Sequence, residues 1–260
     1  MNIESYLDSL PLDITILNIS YKNLLVLPDL SRFKKLEELD CSENKLTILP
    51  DLSYLKNLKR ISCLHNNLYV ITNFNDSLES FNCFDNKLSV LPQLNINLKR
   101  LVCKDNFLSS LPPLNNNLEY LNCDNNLLLE LPILNEKLKI LHCSYNNLTG
   151  IPILNENLKQ LHCRYNNIIK FPMININLKI LVCDGNKITF IPNFDNYLEI
   201  LNCAENLLTS LPIFNKNIDC LVFEYNNISS LLILNDNIKH ITPFSLKNGT
   251  LFSKKNIIAP

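Results

Sequence analysis

Residues 91–170 read LPQLNINLKRLVCKDNFLSS (91–110), LPPLNNNLEYLNCDNNLLLE (111–130), LPILNEKLKILHCSYNNLTG (131–150) and IPILNENLKQLHCRYNNIIK (151–170). The four blocks lie over one another without a gap. Counted from each Leu-Pro, apolar residues recur at positions 1, 4, 8, 11 and 18, Cys stands at 13 and Asn at 16. Working outward, 171–190, 191–210 and 211–230 continue the series. Residues 71–90 fit with Thr72 in place of proline, and 27–48 and 49–70 fit with two extra residues each. Residues 7–26 and 231–250 are weaker copies, as terminal repeats usually are, which gives about 11 to 12 rungs. The cysteines at 41, 63, 83, 103, 123, 143, 163, 183 and 203 mark the same step.

A fixed period of this length predicts a stacked solenoid, in which each rung contacts its neighbours and one core runs through the stack. Positions 11 to 13 alternate in, out, in, which is the period of a strand, so copies every 20 residues must stack in parallel about 4.8 Å apart. The Leu-Pro half returns the chain. Proline at position 2 favours an extended run and removes a backbone donor that this side has no use for. Nine of the 13 prolines stand there. The Asn-x-Asn segment at positions 5 to 7 supplies turn-forming side chains. The longer returns of 27–48 and 49–70 have room for a helical turn.

L-x-x-L-x-C-x-x-N-x-L-x-x-L-P resembles the leucine-rich repeat. The 20-residue step with Leu-Pro is similar to the short bacterial type of secreted effectors, and the Asn-rich, Cys-at-13 version is similar to repeats of large DNA viruses of amoebae. Departures are Lys22, Phe223, Pro243 and Leu246, all near the ends. The resemblance implies an α/β-type solenoid that is mostly β. It would be curved and right-handed, with a parallel sheet on the concave face and largely irregular convex returns. It also implies a protein-binding role. The expected organisation is a single domain over 1–260, with repeats over about 7–242 and a C-terminal cap over about 243–260. Within that cap, Asn248-Gly249 between apolar-containing runs predicts a hairpin.

Totals narrow the function classes. A net charge of −1 argues against a nucleic-acid binder, which carries a basic excess or stripe. No stretch approaches the roughly 18 apolar residues of a membrane span. Met1–Leu10 contain Glu4 and Asp8 and lack the basic start and apolar run of a secretory signal. Ten cysteines without such a segment read as reduced thiols, so the expected location is intracellular and cytoplasmic, the host cytoplasm for an effector-like or viral protein. With three glycines in the chain, phosphate-cradling loops are not expected, and no cofactor is.

The cysteine column has no C-x₂-C pair for zinc, and in-register neighbours stand too far apart for disulfides. It reads as small buried packing residues. The Asn column reads as a buried ladder, its amides bonding one another and the turn backbone. Glu37, Lys59, Glu79 and Lys99 alternate in charge at position 9 and should pair between rungs at the solvated surface.

The expected function is a non-catalytic binding scaffold for a protein partner. Positions 10, 12 and 14 should line the sheet's open face, polar on the early rungs (Glu38, Asp40, Ser42) and richer in large groups in the middle. There Tyr120, Ile140, His142, Tyr145, His162, Arg164, Tyr165, Ile180 and Val182 combine the aromatics and arginine typical of interface anchors. Two enzyme readings stand beside it. His142 and His162 share a row and suggest a metal, without a third ligand on neighbouring rungs. Cys220 lies beside His240 and suggests a thiolate nucleophile, although adjacent Asp219 disfavours the thiolate. A structural paralogue with no partner of its own is the remaining alternative.

Overall fold

The structure, a computed structural model, describes residues 3–172, 177–193, 197–212 and 217–228 together with the backbone of 240–241. The expected cap over 243–260 and its hairpin lie outside the described residues. The chain divides into two compact units, residues 1–127 and 128–260. Each is a parallel β-solenoid.

The first unit opens with a short helix, α1 (Ile3–Asp8), which the repeat pattern does not announce. Its Leu7 is buried, and Asp8 pairs with Arg32 at 2.6 Å. Strands β1 (Ile16–Asn18), β2 (Glu38–Asp40), β4 (Arg60–Ser62), β6 (Ser80–Asn82), β7 (Arg100–Val102) and β8 (Tyr120–Asn122) pair in parallel in that order. Between them lie β3 (Ile48–Leu49) and β5 (Val70–Ile71), which pair on the return side. The second unit stacks β9 (Ile140–His142), β10 (Gln160–His162), β11 (Ile180–Val182), β12 (Ile200–Asn202), β13 (Cys220–Val222) and β14 (His240–Ile241), each parallel to the next.

The strands occupy positions 10 to 12, one residue earlier than the expected Leu-x-Cys centre. The central Leu is buried and its two neighbours are at least partly exposed. The cysteine follows the strand, and its N–H continues the ladder, as Cys103 does to the Asn122 carbonyl at 2.8 Å. Rung-to-rung bonding then runs on past the strand. Asp105 N–H reaches the Asp124 carbonyl at 3.0 Å, and Phe107 N–H the Leu88 carbonyl at 2.8 Å. Positions 1, 4, 8, 11, 13 and 18 are buried, as in Leu91, Leu94, Leu98, Leu101, Cys103 and Leu108. At roughly 1.5–3 kcal/mol per fully buried aliphatic side chain, these columns dominate the favourable side of folding. All nine in-register cysteines are buried and unbridged, and Phe223 takes the same buried position at the end of the column.

The carboxamides of the position-16 column bond the turn backbone, as Asn106 illustrates. Asn106 donates through Nδ2 to the carbonyls of Cys103 (3.2 Å) and Lys104 (3.2 Å) on its own rung and of Cys83 (3.0 Å) on the rung before. Its Oδ1 accepts from Leu88 N–H at 3.0 Å. One carboxamide thus replaces the backbone bonds that the chain gives up as it turns inward. The turn requires a left-handed residue just before it. Position 15 has φ between 48° and 54° at Glu43, His65, Asp85, Asp105, Asn125, Tyr145, Tyr165, Glu205 and Tyr225, and 67° at Gly185.

The returns carry a second amide ladder. Asn115 Nδ2 donates to the carbonyls of Asn95 (2.8 Å) and Leu98 (3.0 Å), while Asn117 Nδ2 donates to that of Ile96 (2.9 Å). The two-residue-longer returns hold successive tight turns and no helix. Phe33 N–H bonds the Leu30 carbonyl at 3.0 Å and Leu36 N–H the Phe33 carbonyl at 3.1 Å. The β3–β5 pair departs from the expected irregular return, and its cause is local. Thr72 replaces the usual proline, so an N–H is present and bonds the Leu49 carbonyl at 3.1 Å.

Candidate functional site

Register sets the rows of the second unit's open strand face. Ile140, Gln160 and Ile180 face one another across β9–β11, and His142, His162 and Val182 form the next row. All are half-buried. The two imidazoles lie with centroids 4.4 Å apart at 43°. Among the described residues no group of three or more His, Cys, Asp or Glu side chains is placed to hold a metal ion.

Tyr145 and Tyr165 stand at position 15, in the left-handed turn beyond the strands and not in the expected rows at 10, 12 and 14; there they stack with centroids 4.8 Å apart and 23° between planes. The Arg164 guanidinium carbon stands 5.1 Å from the Tyr165 centroid and 5.7 Å from that of Tyr145. Its Nη2 pairs with Asp184 Oδ2 at 3.1 Å. Asp184 is buried, and Asn202 Nδ2 donates to its second oxygen at 3.0 Å. Burial pushes the Asp184 carboxyl up, against the pull of Arg164. The ring of Tyr165 rests on Gly185: a Cβ there would come within 2.5 Å of Tyr165 Cδ1. The cluster is therefore held from beneath by a glycine that meets two needs, positive φ and close approach.

Of the nine candidate residues, the structure gathers eight in the second unit. Tyr120 belongs to the first, where the Arg100 guanidinium carbon lies 3.7 Å over its ring. Cys220 is half-buried and pairs in backbone register with Ile200 and His240; the His240 side chain is outside the described residues. Burial, and then Asp219, push its thiol up, which disfavours the nucleophilic thiolate. Sequence reasoning missed Asp184 and Gly185. A lone glycine in the column otherwise filled by charged, amide and aromatic residues was the available signal.

Position 9 pairs as expected at Lys59 with Glu37 (2.9 Å) and Lys99 with Glu79 (2.8 Å), and Lys179 pairs likewise with Glu199 at 2.7 Å, a pair the sequence reading did not name. These pairs are solvent-exposed and stabilise by at most about 1 kcal/mol each.

No protein-family model matches the sequence, and no curated protein sequence matches it. Solved structures do. YopM from Yersinia pestis, titled a leucine-rich effector protein, superposes with a TM-score of 0.77 at 27% identity, over 89% of this chain and 72% of that one. YopM from Yersinia enterocolitica gives 0.69 at 26% identity over 90% of this chain, which spans 53% of that protein's length. The functional domain of InlJ from Listeria monocytogenes, described as including a cysteine ladder, gives 0.62 at 22% identity, over 90% of this chain and 64% of that one. That comparison bears on fold alone. Parallel three-residue strands on a 20-residue step, an inward amide at position 16 and these superpositions agree: the chain folds as a leucine-rich-repeat solenoid, like the leucine-rich-repeat proteins it is similar to.

Proposed function

We propose that this chain is a non-catalytic scaffold that binds a protein partner through the strand face of its second unit and the row of turns that borders it. The observation that carries the reading is the preassembled cluster of Tyr145, Tyr165 and Arg164 seated on Gly185. Two stacked rings and an arginine held by a buried carboxylate lose little freedom on contact, which is how interface anchors gain their weight. Ile140, His142, His162, Ile180 and Val182 supply the half-buried surroundings. The similarity to a leucine-rich effector supports a role in binding. A cytoplasmic setting without nucleic acid or membrane as partner is part of the proposal and rests on the near-neutral charge and short apolar runs of the sequence.

The test is capture of a partner found by proximity labelling in the native cell. Tyr145→Ala with Tyr165→Ala is expected to weaken capture by about thirtyfold, the effect of a 2 kcal/mol anchor loss. Arg164 is a poorer first choice than its exposed position in the sequence pattern suggests, since its removal strands the buried Asp184 charge.

One observation favours a second reading. Ile133 and Ile153, on adjacent returns, are 88% and 84% exposed. If Ile133→Glu with Ile153→Glu abolishes capture and the tyrosine pair does not, the return side is the contact surface.

A further inference from the structure

We propose that the strand face of the first unit carries a separate site for the carboxylates of an acidic peptide segment. β4, β6 and β7 place Arg60, Ser80 and Arg100 in one row, two arginines flanking a serine. With strands about 4.8 Å apart, their Cα atoms stand roughly 10 Å from one another. They border a surface cavity of about 410 Å³ that also takes in Ser62 and Asn82. The row is half open to solvent: Arg60 and Arg100 are exposed and Ser80 is partly buried.

The two arginines differ in what holds them. Arg60 is paired to Glu38 through Nη2. Among the described residues Arg100 has no carboxylate partner, and its flat face is taken up by the Tyr120 ring at 3.7 Å. Stacking fixes the plane of the guanidinium and leaves its N–H edge free. A planar fork with a fixed edge matches a planar carboxylate in two parallel hydrogen bonds. Asn82 adds an amide whose Oδ1 is occupied by Phe84 N–H at 3.1 Å, which directs its remaining capacity to donation. The guanidinium of Arg100 and the amide of Asn82 thus offer donors with no carboxylate taken up among the described residues, whereas Arg60 is already engaged by Glu38.

The acidic end of the same cavity decides between anions. Glu38 and Asp40 line it together with the arginines. A long polyanion such as a nucleic acid would have to lie across both carboxylates, whereas a peptide can set one or two acidic side chains against the arginines alone. This site does not depend on the tyrosine cluster of the second unit.

Fluorescein-labelled hexaglutamate, followed by anisotropy against the full chain at low salt, is the direct probe, with hexalysine as control. Saturable binding is expected, weakened by about tenfold or more in Arg100→Gln, since a hydrogen bond to a charged group contributes about 1.5–3 kcal/mol. Arg100→Lys should fall between, because it keeps charge and loses the fork. Tyr145→Ala with Tyr165→Ala should bind hexaglutamate unchanged, so failure here and failure of partner capture are separable. Unaltered binding in Arg100→Gln, equal binding of hexalysine, or loss of binding in the tyrosine variant would each overturn the assignment. So would displacement by inorganic phosphate at concentrations where glutarate has no effect. Retained circular dichroism in Arg100→Gln confirms that the variant is folded and its binding result counts.

Discussion

Each rung depends on a few residues that work on the backbone rather than on one another. Asn106 satisfies three carbonyls and one N–H, all but one of these bonds buried or shared with the neighbouring rung. Asn106→Ala leaves several of those groups without partners in a dry interior. At about 1–3 kcal/mol for a stranded buried group, the loss should reach about 3 kcal/mol or more in urea unfolding. A loss under about 1 kcal/mol would mean that water or a shifted backbone replaces the amide. Gly185 sets the opposite demand. Gly185→Ala places a methyl against the Tyr165 ring and forces positive φ on a side chain. It is expected to cost about 1–3 kcal/mol and to loosen the Tyr145–Tyr165 stack, readable as a change in tyrosine near-ultraviolet dichroism. At this scale the sequence was half legible. The inward amide was readable from its column, but its partners were not, because an Asn ladder and an Asn-to-backbone ladder have the same spacing. The left-handed residue before it was hidden by the mixture in its column, since Glu and Tyr, which carry none of the usual signal for positive φ, alternate there with Asp, Asn and His, which carry only a weak one.

Among the elements, strands and returns follow different rules. Strand positions were legible because Leu at 11 and Cys at 13 alternate with exposed neighbours. The one-residue offset in their limits arises because the cysteine bonds the next rung after the strand geometry has ended. The β3–β5 pair was not legible as a pair, since its cause is the absence of a proline rather than the presence of a strand pattern. Thr72→Pro tests that account. It removes the N–H donated to Leu49 and restores the residue that nine other rungs carry. The lost bond, about 0.5–1.5 kcal/mol, and the reduced freedom of the unfolded chain, about 0.4–1 kcal/mol, oppose each other. The expected change is within about 1 kcal/mol by denaturant midpoint; a loss above about 2 kcal/mol would show that the paired return is a structural requirement. The candidate site was legible as rows, because register follows from the period. The Arg164–Asp184 pair was not, because it depends on side chains reaching across rungs from positions with no fixed charge pattern.

For the molecule as a whole, the thiol column carries a consequence in protons. Burial pushes the thiols of Cys41 and Cys103 up to about 12, and those of Cys63, Cys83, Cys163, Cys183 and Cys203 upward as well. In the native chain they should resist a thiol reagent at mildly alkaline pH, while the half-buried Cys220 reacts first and all ten react once the chain is unfolded. A thiol that stays protonated when folded has already ionised when unfolded, so the unfolded chain releases more protons at high pH. The stability these groups contribute is whole below the ordinary thiol range, near 8.5, and is lost as pH rises toward the raised values. Each fully engaged thiol tilts the balance by about 1.4 kcal/mol per pH unit, and seven together by on the order of 10 kcal/mol, as much as a typical domain's entire stability of about 5–15 kcal/mol. The fold should therefore collapse cooperatively between about pH 9 and 10.5, and replacing Cys83 and Cys103 by Ala should move that midpoint upward even as it weakens the fold at neutrality. Far-ultraviolet dichroism unchanged to pH 11 would sink the argument. The in-register cysteines of each unit lie buried and unbridged, and the seven that burial holds as neutral thiols set an alkaline ceiling on the repeat.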